Sequence, residues 1–167
     1  ELDHWKHDGN GNKINVNALV GNNVELGSNN TIYAGAVIGL PGFIRDADNA
    51  TGKVIIGSGN KIGANVAIMI GQEGNTVIGD NNLIMNFVNI GHNTQIGNNN
   101  EIGAGTIIPG WVSIGDKNKI KLHCTFRNRK SIGNNCIVGM GTNVVADFED
   151  NVILIGNPAK IVGSVES

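Results

Sequence analysis

The most constraining feature of this sequence is an aliphatic or aromatic side chain at every sixth position. Twelve consecutive positions with this spacing, from Ile78 to Val144, carry isoleucine, valine or phenylalanine. The spacing recurs from Ile14 to Ile38 and from Ile56 to Ile68. An α-helix repeats its faces about every 3.6 residues and a strand about every two, so neither element explains this period. The chain therefore predicts a repeat architecture.

A second period of eighteen residues lies on top of the first. The segments that begin at Ile78, Ile96, Ile114 and Ile132 each place glycine directly after the isoleucine. Three six-residue units therefore close one triangular coil, and the next coil stacks on it. The 25 glycines and 27 asparagines suit coil corners, where left-handed backbone is needed, and they argue against long helices.

The predicted fold is all-β, a parallel β-helix of about eight triangular coils that each rise about 4.8 Å. Residues 14–167 form this single domain, and residues 1–13 form a polar N-terminal segment that covers or frays from the first coil. In each unit the aliphatic residue and the residue two before it point inward. Cys124 and Cys136 hold the second inward position, so we expect them to fill the core rather than react.

Two segments interrupt the repeat and are expected to leave the prism as loops. Residues 40–53 separate Ile38 from Ile56 without changing the phase, and residues 72–75 add four residues between Ile68 and Ile78. Loops on a rigid scaffold often carry binding function. We expect one larger external loop at about 40–53 to bind a ligand, and tolerated corner insertions are the alternative.

Charge and hydropathy exclude several classes of function. The net charge of −2 gives no reason to expect a nucleic-acid partner. No apolar run approaches the length of about 18 residues that a membrane helix needs, so no membrane insertion is expected. The N-terminal residues lack a signal-peptide pattern, and the two cysteines form neither a CxxC motif nor a disulfide framework. These features predict a cytoplasmic protein.

One histidine, His92, stands where a catalytic base could act. It lies at a predicted corner and faces outward, and the position eighteen residues on is Gly110, followed by Trp111. One coil would present an imidazole, and the next a bare backbone N–H beside an aromatic wall. This pair suits a general base and an oxyanion donor. An ordinary surface histidine is the alternative on spacing alone.

The three other histidines suggest less. His4 and His7 have the spacing of a metal-binding pair, but nothing near them supports a metal site, and we expect them to face solvent. His123 holds a corner position beside Lys121, where a phosphate contact and simple exposure are both open. No metal ligands are predicted.

Positive charge is concentrated in one part of the sequence. Six of the twelve lysines and arginines lie within fourteen residues that contain no acidic residue: Lys117, Lys119, Lys121, Arg127, Arg129 and Lys130. Lys130 holds a nominally inward position. The cluster predicts a site for the phosphates of a coenzyme, a nucleotide or a lipid headgroup, and a solvated face is the alternative.

The repeat resembles the hexapeptide-repeat acyltransferase superfamily, and this resemblance implies a left-handed β-helix, an exception to the right-handed rule for crossovers. Residues 88–93, followed by Ile96 and Gly97, are similar to the catalytic segment of the lipid A acyltransferases. These are the UDP-N-acetylglucosamine O-acyltransferase and the N-acyltransferase that acts after it. Residues 81–86 resemble the first of these, and residues 37–43 resemble a nucleotide-sugar segment of the second.

The resemblance implies roles for two residues, and this sequence departs from the family pattern at two others. In both families the histidine that matches His92 is the general base, and in the first the glycine that matches Gly110 supplies the oxyanion N–H. Asn89 and Trp111 stand where the O-acyltransferase has further histidines. Residues 156–160 are similar to the Gly-x-Pro-Ala-Lys/Arg ending of acetyltransferases that use acetyl-CoA on sugars, nucleotide-linked amino sugars and serine.

The resemblance therefore favours acetyl-CoA, or another short acyl-CoA, as donor, and a sugar or nucleotide-linked sugar as acceptor. It implies a homotrimer with sites between neighbouring prisms. The catalytic residues are then His92 and Gly110. The donor-binding residues are Trp111, Asn128, Arg129 and Lys160. The acceptor-binding residues are Phe43, Arg45, Asn89 and Asn93.

Three alternatives stay open. The chain could be an acyltransferase of lipid A type that takes its acyl group from acyl carrier protein, which would dock on the basic cluster. It could resemble a carbonic anhydrase of the same fold, although the three-histidine zinc site of that family has no counterpart here. It could also be a structural or ice-binding prism, although Thr94, Thr106 and Thr142 are predicted to point inward rather than to form a flat outer face.

Overall fold

The computed structural model describes residues 4–42 and 50–166, which form 23 strands and no helix. The strands make three parallel sheets that are the three sides of a prism, and about eight coils stack along its axis. Because the described chain has no helix, it has no helix long and apolar enough to cross a membrane. The predicted all-β coil is confirmed.

The strands of one side follow each other through the stack, one strand per coil. The first side contains β1 Trp5–His7, β2 Lys13–Asn15, β5 Thr31–Ile32, β8 Lys61–Ile62, β11 Leu83–Ile84, β14 Glu101–Ile102, β17 Lys119–Ile120, β20 Ile137–Val138, β22 Val152–Ile155 and β23 Lys160–Ser164. The second side contains β3 Leu19–Val20, β6 Val37–Leu40, β9 Ala67–Met69, β12 Asn89–Ile90, β15 Ile107–Ile108, β18 Thr125–Phe126 and β21 Asn143–Val144. The third side contains β4 Val24–Leu26, β7 Val54–Ile56, β10 Thr76–Ile78, β13 Gln95–Ile96, β16 Ser113–Ile114 and β19 Ser131–Ile132.

The stacking register reproduces the eighteen-residue period. Ile78 pairs with Ile96, Ile96 with Ile114, and Ile114 with Ile132. Ile56 instead pairs with Ile78, twenty-two residues on, which leaves four residues for the insertion at 72–75. Leu26 pairs with Ile56, thirty residues on, so the segment between β6 and β7 carries twelve extra residues. That is a multiple of six, and the phase is kept.

Antiparallel strands close both ends of the first side. β1 runs antiparallel to β2, so the polar N-terminal segment contributes a strand that covers the first coil. β22 continues the parallel stack from β20, and β23 turns back along it. These hairpins pair edge strands that would otherwise present free backbone N–H and C=O groups.

The prism interior is filled as the sequence predicts. The sixth-position residues between Ile78 and Val144 are all buried, and so are the small residues at the second inward position. Cys124 and Cys136 are fully buried among them, and burial raises the pKa of both thiols, so they stay neutral. Both cysteines are core residues.

The structure also contains a column of buried, hydrogen-bonded asparagines, an inner polar ladder, that the sequence analysis did not predict. On the first side the second inward position is asparagine in six successive coils: Asn12, Asn30, Asn60, Asn82, Asn100 and Asn118. Each Oδ1 accepts the backbone N–H of the next ladder residue, and in most steps also its Nδ2–H. Cys136 N–H donates to Asn118 Oδ1 and ends the ladder. Such pairing removes the cost of burying amides in an apolar core.

We predict that Asn100→Ala lowers the free energy of unfolding by about 1–3 kcal/mol, because it leaves the buried Asn118 N–H without an acceptor. Asn98→Ala is the matched control, because Asn98 Oδ1 accepts the exposed Asp80 N–H on the outer surface, where water can replace it. Denaturant unfolding of both variants measures the difference. Equal losses would contradict a distinct role for the inner ladder.

Candidate active site

His92 lies at the corner between β12 on the second side and β13 on the third side. The corner forms because Gly91 lets the backbone pass close to the next coil and Asn93 takes a left-handed conformation with φ of 57°. Asparagine tolerates that conformation better than most residues. His92 is half-buried, while Asn93 and Thr94, which follow it in the chain, are buried. The imidazole therefore stands on a rigid support.

The imidazole lies directly against the backbone of Gly110 in the next coil. A Cβ placed on Gly110 would be 2.5 Å from His92 Nε2, so only glycine leaves room for the ring. Within residues 4–42 and 50–166, no group accepts a hydrogen bond from the Gly110 N–H. The structure thus brings together the two residues that the sequence paired, a ring nitrogen and a buried backbone N–H that has no acceptor within the described chain.

An aromatic ring and a guanidinium extend this corner along the prism. Trp111 N–H donates to the His92 carbonyl at 2.9 Å, and the two rings meet edge to face with centroids 6.1 Å apart. Arg129 lies one coil further, with Cζ 5.0 Å from the centre of the Trp111 ring. Trp111 and Arg129 both have positive φ, which costs a residue with a Cβ energy. Trp111 and Arg129 occupy these corner positions although asparagine would adopt the same left-handed backbone conformation more easily.

Asn93 holds the imidazole from behind. Its Oδ1 is 3.0 Å from His92 Nδ1 and also accepts the Gln72 N–H at 2.9 Å. The Asn93 N–H donates to Thr76 Oγ1 at 2.9 Å. Asn93 is only 5% exposed, and its place among the acceptor-binding residues stays a prediction. Asn93 therefore contacts the ring at Nδ1, while Nε2 lies toward Gly110.

The two insertions meet beside this corner. Thr51 N–H donates to the Gln72 carbonyl, and Gly71 and Thr76 N–H both donate to the Lys53 carbonyl. Gly42 also approaches His92, because a Cβ there would be 3.4 Å from Cδ2. The sequence predicted two separate loops, and no pattern indicated Gln72 or Thr76. The available signal was the lengthening of the chain just before the histidine coil.

The other predicted site residues lie at different distances from the imidazole. Asn89 is half-buried on the outer face of the second side, and Asn128 is exposed one coil beyond Gly110. Lys160 is the first residue of β23 and follows a turn that is hydrogen-bonded to Asn143. Asn143 lies three coils beyond Asn89, so this turn is about 14 Å from Asn89 along the prism axis. Phe43 and Arg45 lie outside the described residues.

The predicted basic cluster is not one patch. Lys117 lies at the corner between the third and first sides, while Lys119 belongs to β17 on the first side. Only Arg129 contacts the histidine corner, through Trp111. Fourteen residues of an eighteen-residue coil travel most of the way around the prism, so neighbours in sequence face different directions. His123 is exposed at the corner between the first and second sides.

Lys130 is also displaced from its nominal inward position. Its Nζ pairs with Asp147 Oδ2 at 3.1 Å, and this hydrogen bond, with that from Ser131, lowers the pKa of the Asp147 carboxyl. The side chain is therefore engaged at the corner surface and leaves the core apolar. It is not a free cation for a phosphate.

Two surface cavities lie away from His92, on the first side. One of about 340 Å³ is lined by Leu83, Met85 and neighbours, and one of about 650 Å³ is lined by Trp5, His7 and Lys13, with Tyr33 and Lys61 shared by both. In the described part of the chain no three His, Cys, Asp or Glu side chains are grouped as a metal site would need.

Comparison with known sequences matches parts of this chain to a transferase family model and to acyltransferases. The family model for the bacterial transferase hexapeptide (six repeats) matches residues 75–110, which include His92 and Gly110. A UDP-3-O-acylglucosamine N-acyltransferase from Shewanella denitrificans is 42% identical over 94 residues, 52% of this chain and 28% of that protein. An acyl-[acyl-carrier-protein]–UDP-N-acetylglucosamine O-acyltransferase from Nautilia profundicola is 38% identical over 93 residues, 53% of this chain and 36% of that protein. The chain thus spans little more than a third of these relatives at most.

Solved structures match most of this chain. A UDP-N-acetylglucosamine acyltransferase from Bacteroides fragilis has a TM-score of 0.89 at 29% identity, covering 92% of this chain and 61% of that one. Perosamine N-acetyltransferase from Caulobacter crescentus, solved with CoA and GDP-perosamine, has a TM-score of 0.60 at 25% identity, covering 92% and 57%. The left-handed β-helix and the resemblance to hexapeptide-repeat acyltransferases are confirmed.

We predict that Gly110→Ala displaces the imidazole, because the new methyl group would overlap Nε2. The ring can swing outward, so the contact between Nδ1 and Asn93 is lost with little loss of folding stability. Gly42→Ala is the matched control, since its methyl group would meet the same ring at an ordinary 3.4 Å. Crystal structures of both variants compare the ring positions. An unmoved imidazole in Gly110→Ala would contradict the packing described here.

Proposed function

We propose that this chain is an acyltransferase that moves an acetyl or other short acyl group from acetyl-CoA to a hydroxyl or amine of a sugar or nucleotide-linked sugar. The observation that carries the proposal is the contact of His92 Nε2 with the bare backbone of Gly110. A base and an oxyanion donor must flank one reacting carbonyl, and these two groups are adjacent. The likeness to acyltransferases that act on nucleotide sugars supports the same reaction class.

The proposed reaction follows from the two groups. His92 Nε2 takes the proton of the acceptor hydroxyl or amine as its oxygen or nitrogen attacks the thioester carbonyl carbon. The carbonyl oxygen becomes an oxyanion and accepts a hydrogen bond from the Gly110 N–H. The tetrahedral intermediate then collapses, the carbon–sulfur bond breaks, and the imidazolium returns its proton to the leaving thiolate. Protons balance, and no step needs a metal ion.

The donor would lie along the corner beyond Gly110. The Arg129 guanidinium is the one cation of the predicted cluster that contacts this corner, and the Trp111 ring holds it in place. Guanidinium groups bind phosphates through charge-assisted hydrogen bonds. We assign Arg129 to a CoA phosphate, with Asn128 beside it and Lys160 further along the prism. Trp111 narrows the space beside Gly110, which favours a short acyl group.

The acceptor would approach from the side of the larger insertion. Gly42 lies near the imidazole, because a Cβ placed on it would be 3.4 Å from His92 Cδ2, and this proximity supports an acceptor on this side. Phe43 and Arg45 of that loop, with Asn89 on the outer face of the second side, are the proposed contacts for the sugar. We propose a homotrimer in which a neighbouring prism covers the half-buried His92 at this corner. The substrates and the unpaired cysteines favour the cytoplasm.

A second donor is acyl carrier protein. The relative from Nautilia profundicola takes its acyl group from that protein, and its similarity to this chain is the observation that favours this alternative. The chemistry at His92 and Gly110 would be the same. The two proposals differ in the acyl length that Trp111 permits and in the surface that the donor contacts.

The experiment measures thiol release from acetyl-CoA with a panel of UDP-, GDP- and dTDP-linked sugars and amino sugars. We expect release with at least one acceptor, and His92→Ala to lower kcat by about 10²–10⁴-fold. His123→Asn is the matched control, an exposed corner histidine whose left-handed backbone asparagine accommodates, and it should keep full activity. More than about a tenth of wild-type turnover in His92→Ala would rule out the general base.

A donor comparison separates the two alternatives. We expect Arg129→Ala to raise the KM for acetyl-CoA about tenfold, since one charge-assisted contact with phosphate is lost, and to leave kcat nearly unchanged. Arg127→Ala is the matched control, because Arg127 is exposed on the same turn and makes no cation–π contact within the described chain. Acylation by acyl carrier protein alone, with no thiol release from acyl-CoA, would replace the proposed donor.

A further inference from the structure

The smaller insertion reaches the reacting centre through one hydrogen bond. Without residues 72–75 the chain would pass from β9 to β10 with the ordinary spacing, and no backbone would lie behind Asn93. With them, the Gln72 N–H points at Asn93 Oδ1 at 2.9 Å. The same oxygen is 3.0 Å from His92 Nδ1. A single amide oxygen therefore faces one donor from the insertion and one nitrogen of the imidazole.

This arrangement decides which way round the Asn93 amide stands. A backbone N–H can only donate, so the amide atom that faces Gln72 has to be the oxygen and cannot be the NH₂ group. The oxygen has no proton to donate, so it can bond to His92 only by accepting a hydrogen bond from Nδ1–H. A neutral imidazole carries one N–H, so Nε2 is then bare. Nε2 is the atom that lies against Gly110.

We propose that the insertion at 72–75 sets the tautomer of His92, with the Gln72 N–H and Asn93 as positioning groups. If Asn93 turned by 180°, its NH₂ group would donate to Nδ1, and the imidazole proton would move to Nε2. His92 would then face substrate with a donor and could not take a proton. The proposal rests on the proposed function, because it concerns the nitrogen that acts there as base.

The surrounding contacts show that the insertion is held in place. The Gln72 carbonyl accepts the Thr51 N–H at 3.1 Å, and Asn75 Oδ1 accepts the Lys53 N–H at 3.0 Å. The backbone of Asn93 is held as well, because its main-chain N–H donates to Thr76 Oγ1. A Cβ on Gly52 would overlap the Gly74 carbonyl, so the backbones of the two insertions are closely packed at this point. Both insertions thereby fix one hydrogen bond to the base.

The test replaces the peptide N–H of Gln72 by an ester oxygen, using the α-hydroxy analogue of glutamine in the semisynthetic full chain. This change removes the donor and keeps the side chain. The matched control is the same replacement at Gly74, whose N–H donates to no described residue. Nitrogen-15 NMR of the imidazole, assigned with His92→Gln, reports the tautomer without any need for turnover. Thiol release measures kcat and KM in parallel.

We expect the wild-type chain to carry the proton on Nδ1 and the Gln72 ester to populate the Nε2 tautomer. We expect kcat to fall at least tenfold with KM unchanged, since a wrong tautomer costs up to about 10⁴-fold in Ser-His-Asp enzymes. Asn93→Asp in the ester chain should restore both the tautomer and kcat, because a carboxylate accepts through either oxygen. A merely structural lesion would not be rescued in this way.

A genetic pair gives a second measurement should the ester chain fail to fold. Thr76→Val removes the acceptor of the Asn93 N–H, whereas Thr106→Val removes an equally buried hydroxyl that accepts the Cys124 N–H. Only Thr76→Val should change the imidazole NMR and lower kcat. An Nε2 proton in the wild-type chain, or an unchanged tautomer in the ester chain, would overturn the proposal. Absence of thiol release from wild type would instead count against the proposed function, and the NMR result would still stand.

Discussion

The stacking of equivalent positions in successive coils is the constraint on which the rest of the molecule depends. Each residue meets its counterpart one coil away through backbone hydrogen bonds and through a column of like side chains, as Ile78, Ile96, Ile114 and Ile132 show. A residue is therefore placed by its position within the coil more than by its sequence neighbours. The histidine corner follows the same rule, since His92 meets Gly110, and Trp111 lies between Asn93 and Arg129. The regular scaffold thereby brings residues that are eighteen apart in the sequence into contact.

This rule explains how far the sequence alone could predict the structure. The six-residue period indicated which side chains are buried, including both cysteines, and the eighteen-residue period indicated the pairing of His92 with Gly110. The prediction of one basic cluster failed because it treated sequence neighbours as spatial neighbours. The lysines and arginines between 117 and 130 follow the coil around the prism and face different directions. The buried asparagines from Asn12 to Asn118 were missed because a polar residue at an inward position is costly until its partner is known. That partner is simply the same residue in the next coil.

The contacts of the two insertions could not be derived in this way. Residues 50–53 and 71–75 have no period, and their hydrogen bonds join backbone groups that every residue possesses. Nothing in their side chains marks Gln72 as the donor to Asn93, because the donor is a main-chain N–H. The chemistry of the corner therefore combines two kinds of information. The repeat supplies a rigid placement of ring and backbone, and the irregular segments choose how the ring is protonated.

The inner asparagine ladder has a consequence for how such a chain can change length over evolutionary time. In each of these steps the Oδ1 of one ladder residue accepts the backbone N–H of the ladder residue in the next coil, so any ladder residue can follow any other. Loss or duplication of eighteen residues would join two rungs as well as before and leave no mismatched amide in the core. Insertions of another length would break the ladder unless, like residues 72–75, they leave the prism between rungs. The interior thus permits growth in whole coils, and the outer corners are free to diversify.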